Sequence, residues 1–246
     1  MKDKLTILIP TNLVPSAPST RVIGATLLSL SQIKEIYGCR CIIGFSFSSK
    51  EQGRSIGYIN NLINIKSAFN TEVFPVIEGQ QRENFLNIIK RVTTPYFLFW
   101  EHDWDLIETF SLKKVIKAMD KYKFINTIYF NKRPNIMLKY PPCGDFILKS
   151  EPRVKEIPLL KTSKWSNNPN VTDIRVWKDW WYKEVISAPL DTSNPRKQIE
   201  PVLHYHYIHD IQTMGFDVAH AKWGMYSYGT MNNNRMVEHM DGSKRY

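Results

Sequence analysis

The most constraining feature of the sequence is a short apolar run that changes abruptly into a cluster of charged side chains. The run Tyr96–Trp100 is followed at once by Glu101, His102, Asp103, Trp104 and Asp105. A continuous apolar run of this length is typical of a strand that is buried on both faces, as in a parallel sheet. Acids and an imidazole do not belong in a core. We therefore expect them at the C-terminal end of the strand, which is where open α/β sheets bind ligands.

The acids of this cluster have the spacing of a metal site. Side chains on an extended chain alternate between two sides, so Glu101 and Asp103 share one side, and Asp103 and Asp105 are an equivalent second choice. Either pair can hold a hard divalent cation, Mg²⁺ or Mn²⁺, which in turn can bind a diphosphate. The residues alone leave both registers open.

Composition limits the class of protein. A chain of 246 residues with 43% hydrophobic residues can bury the core of one large domain. The net charge of +10 allows an anionic partner. Because the basic residues are spread thinly, and the tryptophans are not interleaved with them as in a stacking groove, we expect nucleotide phosphates and no nucleic acid.

The sequence also predicts a protein without a transmembrane segment. It contains no apolar run near the ~20 residues that span a bilayer. The apolar stretch Leu5–Ile9 is too short for the core of a signal peptide. Cys39, Cys41 and Cys143 lack zinc-site spacing, which predicts free thiols in a reducing compartment. A cytoplasmic location follows as an expectation.

Strands and helices alternate through the first half of the chain. Strands are predicted at Leu5–Pro10, Cys39–Phe47, Glu72–Ile77, Tyr96–Trp100, Phe124–Phe130, Asp145–Leu148, Leu159–Thr162 and Asp217–Tyr228. Helices are predicted at Arg21–Ile36, Ser55–Ile65, after Glu78–Asn84, and at Ser111–Tyr122, Thr172–Ile186 and Glu200–Met214, with a loop at Pro189–Gln198 and a polar tail at Asn232–Tyr246. This alternation predicts an α/β fold with a mostly parallel central sheet and helices on both faces.

Two stretches carry a resemblance to a known family. The first joins Gly79-Gln80-Gln81-Arg82-Glu83-Asn84 to the strand that ends in Glu101-His102-Asp103, and the second runs from Ile199-Glu200-Pro201 to Met214-Gly215-Phe216. Together they resemble GT-A-fold glycosyltransferases of the inverting, family-2-like group, and are similar to small glycosyltransferases of large algal viruses and bacteria. The resemblance covers most of the chain, from about Leu5 to His239. It implies a nucleotide-sugar-binding half, residues 1–131, and an irregular acceptor-binding half, residues 132–246, of one domain.

The resemblance implies a metal-dependent hexosyl- or pentosyltransferase of glycan biosynthesis. Such an enzyme moves a sugar from a UDP-, GDP- or dTDP-sugar to a hydroxyl of a glycan or glycoconjugate, with inversion. Mn²⁺ or Mg²⁺ would stabilise the diphosphate leaving group. The family often supplies a C-terminal histidine, which makes His239 a fourth candidate ligand. If the source is a virus, the expected location is the host cytoplasm.

Roles for other residues follow from the same resemblance. Inversion needs a general base, and Glu200 is the candidate because the dipole at a helix N-terminus favours an ionised carboxylate. Asp173 and Asp179 are its reserves. Donor-binding candidates lie at the first strand's end, at two helix starts and in one loop: Thr11, Arg21, Arg82, Asn84 and Trp165, the last stacking on a sugar face.

The sequence departs from the family pattern at three points. Glu101 stands where an Asp is usual, Glu200 is single and precedes Pro201, and Ser46 and Ser48 replace the acid that usually follows the second strand. A nucleotidyltransferase that makes nucleotide sugars is the alternative on the same fold, although Thr11–Pro15 lacks the glycines which that class needs. A non-catalytic basic binding module is the non-enzyme alternative. Zinc binding by His204, His206 and His209 is disfavoured, because that spacing spreads the rings around a helix.

Overall fold

The computed structural model describes residues 1–13, 17–65, 67–77, 81–139, 146–188 and 199–240. Its centre is a nine-stranded sheet, and a two-stranded ribbon lies beside it. In chain order the strands are β1 Leu5–Asn12, β2 Arg40–Phe47, β3 Asn70–Ile77, β4 Tyr96–Phe99, β5 Trp104–Leu106, β6 Thr127–Tyr129, β7 Leu148–Ser150, β8 Leu159–Thr162, β9 Asn170–Asp173, β10 Met225–Tyr228 and β11 Val237–His239.

Helices connect most of these strands. They are α1 Arg21–Leu30, α2 Gln52–Ile63, α3 Gln81–Ile89, α4 Leu112–Lys121, α5 Ile174–Val176, α6 Tyr182–Ser187, α7 Ile199–Met214 and α8 Phe216–Trp223. A π-helical turn, Trp177–Trp181, joins α5 to α6, and short 3₁₀ turns lie at Lys34–Ile36 and Ser49–Glu51. The predicted cap of α4 is present, since the Ser111 hydroxyl accepts a hydrogen bond from the Lys114 amide.

The sheet is mostly parallel, as the sequence predicts. Its strand order is β3-β2-β1-β4-β9-β6-β10-β8-β7. Strand β1 pairs in parallel with both β2 and β4, whereas β9 is antiparallel to β4 and β6, and β8 is antiparallel to β10 and β7. Because β9 is antiparallel to both of its neighbours, β6 runs in the same direction as β4, β1 and β2. The C-terminal ends of these four strands therefore lie at one edge of the sheet, and the candidate site lies at that edge.

Helices cover both faces of the sheet. Along β1, Ile7 and Ile9 belong to one apolar cluster while Leu8 belongs to the other, as expected for a strand buried on both sides. The first cluster packs under α1, α2 and α4, and the second packs under α3, α6 and α7.

Three predicted elements are wrong in part. The predicted helix Thr172–Ile186 is helical from Ile174 onward, but its first two residues belong to strand β9. That strand is short and polar, and it is buried because it pairs with β4 and β6, which no local pattern reveals. The predicted strand Asp217–Tyr228 begins with helix α8, because Gly215, at φ +83°, ends α7 and also precedes the next helix. The predicted polar tail contains β11, which pairs with β5. The predicted loop Pro189–Gln198 lies outside the described residues.

Two further expectations concern membranes and thiols. Within the described ranges, no helix combines the length and apolar character needed to cross a bilayer. Cys39 and Cys41 are buried free thiols, and Cys143 lies outside the described residues.

Candidate active site

Asp103 and His239 form the centre of the candidate site. Asp103 lies in the turn that follows β4, and His239 is the last residue of β11. The two meet because β11 pairs antiparallel with β5, which places His239 opposite Trp104. The Nε2 atom of His239 lies 3.0 Å from Oδ2 of Asp103. The structure thus brings together two of the four residues that the sequence proposes as metal ligands.

Hydrogen bonds to the backbone hold this turn in place. The Met240 amide donates to the Asp103 carbonyl across 2.6 Å, and the Thr26 hydroxyl donates to the His102 carbonyl across 2.6 Å. The indole of Trp100 donates to the Trp104 carbonyl across 3.0 Å. The turn is therefore anchored from α1, β4 and β11, and its side chains are positioned before any ligand arrives.

Electrostatics within the Asp103–His239 pair favour opposite charges. Burial alone would raise the pKa of Asp103, but the hydrogen bond from His239 and the charge of His102 outweigh it and the pKa is lowered. The hydrogen bond to Asp103 raises the pKa of His239. The pair consists of a carboxylate oxygen and an imidazole nitrogen that point at each other, and both atoms are common metal ligands.

Glu101 lies beside this pair in a more enclosed position. One carboxylate oxygen accepts a hydrogen bond from the side-chain amide of Gln81, and the other accepts from the indole of Trp104 across 3.3 Å. Burial, reinforced by the negative charge of Asp103, raises the pKa of Glu101 to about 8. A positive charge close to these acids would reverse that shift.

Asp105 is separated from the pair. It lies in β5, where alternation turns it to the side opposite Trp104, and it stands across from Glu238 in the ladder. The ring of His239 contacts Trp104 edge to face with centroids 4.9 Å apart. Asp103 is common to both registers that the sequence leaves open, and of the other two acids Glu101 lies near Asp103 and His239 while Asp105 does not.

A cavity of about 410 Å³ lies in the second half of the chain; none of Glu101, Asp103 and His239 lines it, and Glu200 and Lys132 connect it to the acids. Glu200, in the first turn of α7, contributes to its lining, and its Oε2 accepts a hydrogen bond from the Asn167 amide across 3.4 Å. Glu200 is close enough to Glu101 to raise the pKa of that residue further. Glu200 therefore lies near the acidic cluster, and its role as the base stays a prediction.

Lys132 connects the cavity to the acidic cluster. It follows β6 directly, lines the cavity, and places its Nζ 5.7 Å from the ring centroid of Trp104. Partial burial and the neighbouring charge of Lys164 lower the pKa of Lys132, while Glu200 and Glu101 oppose that change. A lysine between two acids and an open cavity is a candidate to bind an anionic group.

Three of the predicted donor-binding residues lie at the same edge of the sheet. Thr11, near the end of β1, is buried, and its hydroxyl lies 3.5 Å from that of Tyr58. Arg21 is exposed at the start of α1. Arg82 is buried near the start of α3 and donates to the Ala188 carbonyl across 3.2 Å, which ties α3 to the end of α6.

Asn84 has a structural role that differs from the predicted contact with a nucleotide. Its Nδ2 donates to the carbonyls of Thr11 and Gly44, each across 2.9 Å, and thereby clamps β1 to β2. Gly44 permits this approach, because a Cβ there would overlap with Oδ1 of Asn84 and lie 2.7 Å from Cγ2 of Ile88. The amide is 1% exposed, so it supports the strand ends and does not face a ligand.

Trp165 and Asp173 are likewise not placed for their predicted roles. Trp165 is 4% exposed and packs edge to face against Trp181, so its faces are covered by protein and cannot stack on a sugar. Asp173 lies beside Tyr96, at the opposite end of β4 from the acids, where it caps α5 and pairs with Arg175. Its carboxylate is thus excluded as a reserve base, and Asp179 is exposed on the π-helical turn.

Sequence reasoning missed Gln81, Lys132 and Lys164 as site residues. Lys132 could have been found, because it follows a predicted strand at the edge where the acids lie. Gln81 stands within the motif that carries the resemblance, next to Arg82. Lys164 also follows a predicted strand, β8, but that strand is antiparallel to β10, so its C-terminal end gives no sign of a position near the acids.

Comparisons with known proteins give fold-level likenesses only. No family model matches this chain, and no curated protein matches it. Among solved structures, residues 1–349 of S. aureus TarS in complex with UDP have a TM-score of 0.47 at 11% identity, covering 96% of this chain and 60% of that one. The 4-diphosphocytidyl-2C-methyl-D-erythritol synthase of Anaerococcus prevotii has a TM-score of 0.45 at 8% identity, covering 96% and 94%. This chain covers 29% of the longer TarS chain, with a TM-score of 0.44 at 14% identity. Scores and identities this low support no transfer of function.

Proposed function

We propose that this chain is a metal-dependent glycosyltransferase that moves a hexosyl or pentosyl group from a nucleoside-diphosphate sugar to an acceptor hydroxyl with inversion. The observation that carries the proposal is the Asp103–His239 pair, whose facing ligand atoms are 3.0 Å apart. A cavity lined by Glu200 and Lys132 adds to it, since both residues interact electrostatically with the neighbouring Glu101. This arrangement combines a cation site, a pocket and a carboxylate base at the ligand-binding edge of an α/β sheet.

The residues present fit a divalent cation that is shared with a diphosphate. Among the described residues, no group of three or more His, Cys, Asp or Glu side chains is arranged to hold a metal ion. Asp103 and His239 therefore supply two ligands at most, with Glu101 nearby, and the phosphates supply others, a common arrangement for Mg²⁺. The imidazole favours Mn²⁺ over Mg²⁺. When bound, the cation stabilises the negative charge that grows on the leaving diphosphate.

The protein's own groups perform the remaining tasks in this proposal. Glu200 takes the proton from the acceptor hydroxyl as that oxygen attacks the anomeric carbon from the face opposite the diphosphate. Lys132 places a positive charge between Glu200 and Glu101, where it offsets the repulsion between the two carboxylates. Residues 1–131 contribute most of the donor half and residues 132–246 the acceptor half, with His239 reaching back to Asp103.

A donor screen tests this function directly. The full chain is incubated with UDP-, GDP- and dTDP-sugars, with Mn²⁺ or with EDTA, and melting temperature and release of free nucleoside diphosphate are measured. We expect one donor class to raise the melting temperature only with Mn²⁺, because a bound ligand stabilises the folded state by mass action. Slow hydrolysis of the same donor, with water as the acceptor, should release the nucleoside diphosphate.

Two other outcomes would contradict the proposal. Release of pyrophosphate from a nucleoside triphosphate and a sugar phosphate would instead show the alternative, a nucleotidyltransferase. Binding of a nucleotide sugar with equal affinity in Mn²⁺ and in EDTA would show that no metal takes part in donor binding. The variant Asp103→Asn is the matched control, since it keeps the shape of the side chain and removes the charge.

A further inference from the structure

The cavity beside Glu200 contains an excess of positive charge. Lys132, Arg133 and Lys164 all line it, whereas Glu200 is the single carboxylate among its described lining residues. Arg133 and Lys164 are close enough to Lys132 to lower the pKa of that lysine by repulsion, so the three cations form one cluster. We refer to these three residues as the cationic cluster.

No member of the cationic cluster forms an ion pair within the described part of the chain, where none has a carboxylate within 4.0 Å. Other basic side chains have such partners, for example Lys149 with Asp217 at 3.0 Å and Lys222 with Asp210 at 2.8 Å. Glu200 and Glu101 act on Lys132 from a greater distance, so two carboxylates face three cations. The remaining like charges repel one another, and an anionic ligand would relieve that repulsion.

The same cavity also has an apolar part. Its lining includes Ile136, Leu138, Phe146 and Ile208. Ile136 and Leu138 are 38% and 40% exposed, so the cavity presents apolar surface, as ligand pockets commonly do. A ligand that fills this cavity is therefore expected to combine an acidic group with an apolar moiety.

We propose that the acceptor substrate is an acidic glycoside, in which a carboxylate or phosphate on the sugar binds the cationic cluster and an apolar aglycone contacts the apolar lining. The inference rests on the proposed function, because it assigns to the acceptor the cavity in which Glu200 accepts a proton. The donor diphosphate is expected next to Asp103 and His239, in the turn after β4. Arg133, Lys164 and Ile136 instead belong to the segments after β6 and β8.

Direct binding of a matched pair of probes tests the proposal without any catalysis. The probes are p-nitrophenyl β-D-glucuronide and p-nitrophenyl β-D-glucoside, which share the aryl group and differ in the carboxylate. Calorimetry with the full chain, without nucleotide or metal, should show binding of the glucuronide about tenfold tighter, as one charge-assisted hydrogen bond gives. The preference should shrink as salt is raised.

Variants decide whether the cluster causes the preference. The double variant Arg133→Gln, Lys164→Gln should bind both probes with similar affinity, and Lys117→Gln, an equal charge change on the exposed face of α4, should keep the preference. Melting temperatures check that each variant is folded. The variant Asp103→Asn should also keep the preference, so failure of the donor chemistry and failure of this inference are separate results.

Three outcomes would overturn the inference. The first is equal binding of the two probes, and the second is no measurable binding of either at millimolar concentration. The third is a double variant that keeps the glucuronide preference but loses Mn²⁺-dependent binding of UDP, GDP or dTDP, which would assign the cationic cluster to the donor phosphates.

Discussion

The imidazole of His239 lies 3.0 Å from the carboxylate of Asp103 because β11 returns to pair with β5, directly after the turn that carries the acids. The two-stranded ribbon of β5 and β11 therefore has a role in the proposed site. It brings the last described strand of the chain to the end of β4 and completes the proposed cation site. A chain that ended before β11 would keep the acids and lose the histidine.

Metal-dependent nucleotide binding should depend on both members of this pair. Asp103→Ala is expected to abolish the effect of Mn²⁺ on the affinity for the nucleoside diphosphate, since the remaining acid, Glu101, accepts two hydrogen bonds from protein groups. His239→Ala should weaken Mn²⁺-dependent binding roughly tenfold to hundredfold, the range seen when groups that support a metal are removed. Calorimetric titration with and without EDTA measures both effects.

Asp105→Asn is the matched control for these variants. It removes one acidic charge from the same stretch, but Asp105 lies on the other side of the ribbon from His239. We expect it to leave Mn²⁺-dependent affinity within about twofold, well under the 1.4 kcal/mol that a tenfold change represents. A loss of affinity in Asp105→Asn together with normal affinity in His239→Ala would instead assign the cation to Asp103 and Asp105.

The clamp formed by Asn84 should matter for stability. Asn84→Ala removes donors from the buried carbonyls of Thr11 and Gly44, and each unsatisfied group costs about 1–3 kcal/mol. We therefore expect the free energy of unfolding to fall by at least about 1 kcal/mol in urea titrations. Asn60→Ala, at an exposed position of α2, should change it by less than about 0.5 kcal/mol. Equal stability of the two variants would show that the clamp is dispensable.

Local pattern predicted much of the fold and part of the site. Helical spacing located α1, the cap residue Ser111 indicated α4, proline in the first turn and Gly215 at the end indicated α7, and the apolar run before Glu101 located β4. Those features are local, since each depends on residues within one turn or one strand. The same reasoning placed Asp103 at the ligand-binding edge and Glu200 at a helix start, where the structure has them.

The remaining features depend on contacts between distant segments. Strand β9 is four residues long and polar at three of them, and it is buried because β4 and β6 pair with both of its edges. In the register with β4, Asp173 lies opposite Tyr96, at the end of β4 that is far from Glu101. The role of Asn84 likewise depends on where the ends of β1 and β2 lie, and the sequence around Asn84 carries no sign of either strand.

Acid should destabilise the protein through His220. This residue is 2% exposed, its Nε2 lies 2.7 Å from the Met225 carbonyl, and burial lowers its pKa to about 4 from 6.5. The unfolded state therefore binds more protons than the folded state between these two values, so stability is lost as pH falls from about 6.5 to about 4. The loss attributable to His220 is about 3 kcal/mol.

A variant that cannot titrate isolates this contribution. His220→Gln keeps a donor for the Met225 carbonyl, and its stability should fall less steeply over the same pH interval. His209→Gln, at an exposed position of α7, should retain the wild-type slope. Urea titrations at several pH values between 7 and 4 measure the slopes, and parallel curves for wild type and His220→Gln would contradict the assignment.

Glu200 should be required for transfer and not for donor binding. Glu200→Gln keeps the acceptor for the Asn167 amide, in the form of the side-chain carbonyl, but it cannot take a proton. We expect the affinity for the nucleotide sugar to stay nearly unchanged and the transfer rate to fall by about 10²–10⁴, the usual contribution of general base catalysis. Initial rates with saturating donor, together with melting temperatures, separate this result from simple destabilisation.

Asp173→Asn is the matched control for the loss of a carboxylate. Asn is as good a helix cap as Asp, so this variant should keep the cap of α5 while it loses the ion pair with Arg175, and its melting temperature is measured to confirm that it is folded. Because Asp173 lies beside Tyr96, at the far end of β4 from Glu101, transfer should also stay near the wild-type rate. If Glu200→Gln transferred sugar at a near-normal rate, Glu200 would be only a helix-terminal acid. The proton would then have to leave through another group that lines the cavity, and His204 would be the next residue to replace.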